Sequence, residues 1–126
     1  MNNLLWEEVV KFHGHKCPGI AMGFRACEAI NSKIDKDDEI ICISENNTCP
    51  VDAIKYIFKC DYDKGNLILK EDKDLAFNIF NKTKNFNFKV VYKGKNNCPT
   101  KEEYMNYILN APVDELFDFT EVKYSL

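Results

Sequence analysis

A chain of 126 residues, 45% of them hydrophobic, has material for one core and one domain. Its net charge of -3, from 17 basic and 20 acidic residues with the lysines scattered among acidic neighbours, gives nucleic acid or an anionic membrane no electrostatic foothold. Glu7 and Glu8 interrupt the N-terminus and no apolar run reaches about 18 residues, so neither a signal peptide nor a membrane span is expected, and a soluble, cytoplasmic protein is.

Leu4, Leu5, Val9 and Phe12 fall at helical spacing between Glu7, Glu8 and Lys11, which predicts an amphipathic helix over 3–12 ending near Gly14. A second helix is predicted from Pro18 towards Lys33, with Ile20, Met22, Ala26, Ala29 and Ile30 as its apolar content. Gly19 and Gly23 in it are small enough for another backbone to approach closely. Ile40 to Ile43 reads as a buried strand, and a third helix should open at Pro50 with Val51, Ile54, Ile57 and Phe58 on one side. Runs over 66–69, 75–81 and 86–92 read as strands. The last two alternate at period two through Phe77, Ile79, Phe86, Phe88, Val90 and Tyr92, as an antiparallel meander does. Thr100 to Glu103 resembles a capping box before a helix that Pro112 stops, followed by a turn over 114–117 and a terminal strand near 119–124. Helices come early and strands late, so the predicted class is α+β, a single domain with helices packed on a mixed or antiparallel sheet.

Six cysteines without a secretory signal point to reduced thiols, and the absence of any C-x-x-C pair excludes zinc ribbons and thioredoxin-like dithiols. Cys17, Cys49 and Cys98 each precede a proline suited to open a helix, where exposed N–H groups favour a thiolate. Cys17 also closes the run His13-Gly14-His15-Lys16-Cys17. Residues two apart diverge on a helix, so these three converge only in an extended connection, which Gly14 permits. Imidazole and thiolate suit zinc, nickel, copper or iron(II), not calcium or magnesium. The plainer reading makes His13 a helix C-terminal cation and His15 and Cys17 ordinary loop residues.

Cys49 repeats the arrangement at a strand end, and Asp52 in the following helical turn either orients a histidine or moves a proton, or simply complements the helix dipole. Cys60 is either a buried small residue or another sulfur near the cleft. Cys27 and Cys42 read as core hydrophobes, and Cys98 as a helix cap.

The string Phe12-His13-Gly14-His15-Lys16-Cys17-Pro18-Gly19 with Gly23-Phe24-Arg25-Ala26, and the second block Glu45, Cys49, Val51-Asp52-Ala53-Ile54, Cys60 and Lys64-Gly65-Asn66-Leu67, resemble the FmdE family, which takes its name from a component of formylmethanofuran dehydrogenase. The resemblance spans roughly 5–92. It implies an α+β core, a homodimer and a transition-metal site built from the histidines and cysteines. Pro50 stands where the family has glycine, Phe58-Lys59 where it has Thr-Gly, and the cysteine-rich C-terminal appendage of longer members is not expected.

The leading expectation is therefore a metal-binding protein in which His15, Cys17 and Cys49 hold the ion with His13 beside them as a fourth donor and Asp52 behind. Zinc is the first choice, nickel and iron the alternatives, and Cys17 and Asp52 are the candidate catalytic residues. It would be an enzyme or an accessory factor of molybdenum or tungsten oxidoreductase subunits in formyl or formate metabolism. A metal-free thiol protein using Cys17 as nucleophile is the second expectation. The third is a non-enzymatic accessory protein binding a partner through Phe86, Phe88 and Tyr92.

Overall fold

The helix that begins at Pro18 is the most deeply packed helix among the described residues, as its nearly continuous small and apolar sequence demands. A computed structural model describes residues 2–72 and 74–123. Along the chain run α1 (Asn3–His13), α2 (Pro18–Asn31), β1 (Ile40–Ser44), α3 (Pro50–Phe58), β2 (Leu67–Leu69), β3 (Ala76–Asn81), β4 (Phe86–Tyr92), α4 (Lys101–Asn110), α5 (Val113–Leu116) and β5 (Phe117–Glu121). Ile20, Ala21, Ala26, Cys27 and Ile30 of α2 are fully enclosed, and α1, α3 and α4 all pack against this helix. No helix of the described residues is long and apolar enough to cross a membrane.

The strands form one sheet in the order β2-β1-β3-β4-β5. β1 pairs with β2 in parallel, through α3 as the crossover, while β1–β3, β3–β4 and β4–β5 are antiparallel. This is the α+β fold with a mixed sheet that the order of patterns predicts. The register places Cys42, Ile79 and Phe88 side by side across three strands, and all three are fully enclosed. Phe88 stacks on Phe119 of β5 at 4.8 Å, and Phe86 and Tyr92 pack against the same core. Phe88 is thus committed to the interior and Phe86 and Tyr92 are half-buried against it, so the strand does not present the exposed aromatic row on which the third expectation drew.

Local chemistry explains most boundaries. Asn2 caps α1 through Leu5 N–H at 2.9 Å, and Gly14 ends it with φ 106°. Thr100 caps α4 by accepting from Glu103 N–H at 3.1 Å. Pro99 therefore opens no helix and Cys98 caps none, because the threonine hydroxyl two residues later is the better acceptor. The predicted turn over 114–117 is instead the single-turn helix α5 closed by Leu116 N–H on Pro112, and the terminal strand runs Phe117–Glu121, with Tyr124 outside the described residues.

Candidate metal centre

Two glycines and two prolines set the geometry at the end of β1. A methyl group at Gly23 would lie 2.4 Å from the Pro50 carbonyl oxygen and 2.6 Å from Pro50 Cα, so α2 and α3 cross in direct backbone contact. One turn earlier, a methyl at Gly19 would meet Cys49 Cβ at 2.8 Å. The N-termini of the two helices are thereby pressed together, each with a cysteine immediately before its proline. Cys49 also stands beyond the carboxyl end of β1, the edge at which α/β connections gather ligands.

The 13–17 segment reaches the same point by a route other than the extended alternation expected from sequence. His13 is the last helical residue of α1, Gly14 turns left-handed, and Cys17 adopts an extended conformation (φ -153°, ψ 163°) as the N-cap of α2. Its sulfur accepts from Ile20 N–H at 3.5 Å, a capping role that holds it at the helix N-terminus. Cys49 makes no such bond. Burial, then the neighbouring Cys17 thiol, push the Cys49 thiol above its ordinary range, opposite to the lowering expected from a helix N-terminus.

The structure brings His13, His15, Cys17 and Cys49 together: one donor atom from each lies within 4.8 Å of all the others. His13 Nδ1 is 2.7 Å from Asp52 Oδ2, and its Nε2 is 3.7 Å from Cys17 Sγ. With Nδ1–H donating to the carboxylate, the Nε2 lone pair faces the sulfurs, the arrangement in which a carboxylate fixes the tautomer of a ligating histidine. Lys55 stands 4.0 Å from the other Asp52 oxygen. His15 is exposed, with its ring 4.6 Å from that of His13.

Tetrahedral zinc takes nitrogen at about 2.0 Å and sulfur at about 2.3 Å, which puts neighbouring donors roughly 3.5 Å apart, so rotations of about an ångström close this group on one ion. Two imidazoles and two thiols are also a donor set that zinc and similar ions prefer. The group can hold a metal ion.

The other cysteines lie outside it. Cys27 and Cys42 are fully enclosed, and burial holds their thiols far above the usual range. Cys60 is 2% exposed and is pushed up to about 11 by burial, with Lys64 opposing, so it is a core thiol and no fifth donor. Sequence reasoning missed Lys101, Glu102 and Met105 of α4, which face His15 and Cys17 across a cavity of about 300 Å³. The one signal available was Lys101 itself, a cation at a helix start where the dipole disfavours it.

No curated protein sequence matches this chain. Among solved structures, a crystal structure described as a tungsten formylmethanofuran dehydrogenase FmdE-like protein from Syntrophus aciditrophicus superposes with a TM-score of 0.76 at 19% identity, covering 94% of this chain and 70% of that one, a likeness of fold. The profile of the family described as "FmdE, Molybdenum formylmethanofuran dehydrogenase operon" matches residues 12–118, a span that holds all four donors, the α2–α3 crossing and the whole sheet but for the last residues of β5. The chain belongs to the FmdE family.

Proposed function

We propose that this protein binds one transition-metal ion, zinc before nickel or iron, through His13, His15, Cys17 and Cys49. The metal centre would serve formyl or formate chemistry linked to a molybdenum or tungsten oxidoreductase, as a small enzyme or as an accessory factor. The observation that carries the reading is the convergence of four soft and borderline donors from two segments more than thirty residues apart. The description of the family and that of the Syntrophus protein support the metabolic half of it. The reading extends to a homodimer in the cytoplasm.

Within it, Cys17 and Asp52 keep the roles that invite catalysis. Cys17 belongs to the donor group and also lines the α4 cavity. Asp52 holds a proton on His13 Nδ1 and keeps Nε2 free to ligate. A bound ion of this class would supply Lewis acidity; the chain's own part is to orient the donors and to keep one side open through the exposure of His15.

Elemental analysis of the purified protein, or of apoprotein reconstituted with zinc, should return about one ion per chain. Protein that takes up none after reconstitution overturns the reading. Asp52→Asn should weaken zinc binding by about 10- to 100-fold, because the amide holds the imidazole less firmly and adds no basicity to it. Competition with a chromophoric chelator measures this, and unchanged affinity would remove Asp52 from the centre.

A further inference from the structure

The four donors are not held alike. His13 is tied to Asp52, Cys17 to the Ile20 amide, and Cys49 lies against Gly19. His15 is exposed and makes no hydrogen bond among the described residues. It is also the histidine that lines the cavity of about 300 Å³ opposite α4. The least constrained side of the centre therefore faces the neighbouring space.

That space has a definite chemistry. Its volume is at the small end of the range for small-molecule sites, which suits a small occupant. Lys16 and Lys101 bring two positive charges against the single negative charge of Glu102, while Met105 and Pro18 give it apolar walls. Lys101 forms no ion pair among the described residues, and as the first residue of α4 it sits at the positive end of a helix, where a lysine gains nothing from its own element. Its ammonium group is exposed and free to pair with an anion from outside the fold. A carboxylate answers both demands, since it ligates borderline metals and pairs with an ammonium group.

We infer that this cavity is a binding site for small carboxylates, held by Lys101 and meeting the metal at the position that the exposed His15 can vacate. The inference rests on the metal-centre reading above and gives it a substrate class. Glu102, directly beside Lys101, works against the same anion and so sets how tightly it is held.

Cobalt(II) in place of zinc makes the test optical. Sodium acetate should change the visible absorption of the cobalt protein saturably in the millimolar range, whereas sodium chloride at equal ionic strength should not. Lys101→Glu should weaken acetate by about tenfold or more, and Glu102→Gln should tighten it severalfold. Both substitutions suit the first turn of a helix, and opposite effects from adjacent residues do not arise from misfolding. Cobalt uptake with a spectrum indifferent to acetate overturns the carboxylate site alone, as does a Lys101→Glu protein that binds acetate as tightly as the parent. A protein that takes up no cobalt overturns the metal centre and this site with it.

Discussion

Replacing Cys49 with serine is expected to lower zinc affinity by roughly a hundredfold to a thousandfold. Apparent binding free energies of about 10–16 kcal/mol shared among four ligands give about 2.5–4 kcal/mol to each, and every 1.4 kcal/mol is a factor of ten. Cys49 has no compensating structural duty, since its sulfur caps no helix and its Cβ packs on Gly19, where serine fits the same space. The fold should therefore survive the substitution while the affinity falls. Chelator competition on folded variants reads this directly, with Cys98→Ser as the comparison because that thiol lies outside the donor group. Equal affinities for the two variants would place the metal elsewhere.

Gly23→Ala carries the largest expected loss of stability. In an ordinary helix interior alanine is favoured over glycine by up to about 1 kcal/mol. Here the added methyl would overlap the backbone of Pro50, whose carbonyl oxygen, Cα and carbonyl carbon lie 2.4, 2.6 and 2.9 Å from it, and a backbone has no rotamer by which to yield. Overpacking of this kind costs about 1–3 kcal/mol and more when rigid atoms meet, so the clash outweighs the propensity gain and a net loss of about 2–3 kcal/mol follows. For a domain of this size that is a fall in Tm of roughly 8–12 °C. A thermal melt that matches or exceeds the parent would show that α2 and α3 do not cross in contact. Since the shift would carry Pro50, and with it Cys49, away from Cys17, the same variant should also bind zinc more weakly.

Much of this architecture is local, and local signals are what a sequence displays. Proline at the first helical position marks α2 and α3, Gly14 marks the end of α1, and period-two alternation marks β3 and β4. Gly19 and Gly23 were legible as close-approach positions because nothing else explains two glycines in one buried helix turn. The parallel pairing of β1 with β2 was not legible, since strand pairing is decided by which edges meet in space. Nor was the burial of Asn78, whose amide looks like a solvent-facing interruption in β3. In the fold it donates to Glu45 Oε2 at 2.7 Å, with Lys89 Nζ 3.1 Å from the same oxygen, so a polar side chain is satisfied inside a strand buried throughout. For the centre, the residue types at 13, 15, 17 and 49 were readable from chemistry. Their surroundings were not, because α4 and its Lys101 lie more than eighty residues from His15 and no local pattern links them.

The left-handed joint at Gly14 limits how this chain can vary. Side chains two positions apart on a continuous helix diverge by about 200°, so His13 and His15 share a meeting point only because winding stops between them. Extending α1 by one turn would add hydrogen bonds and also swing the second imidazole to the opposite side. Any side chain at position 14 pushes in that direction, because φ 106° is disfavoured for residues bearing a Cβ. Helix length and ligand convergence are therefore rivals at this position, and the chain gives up the former to keep the latter.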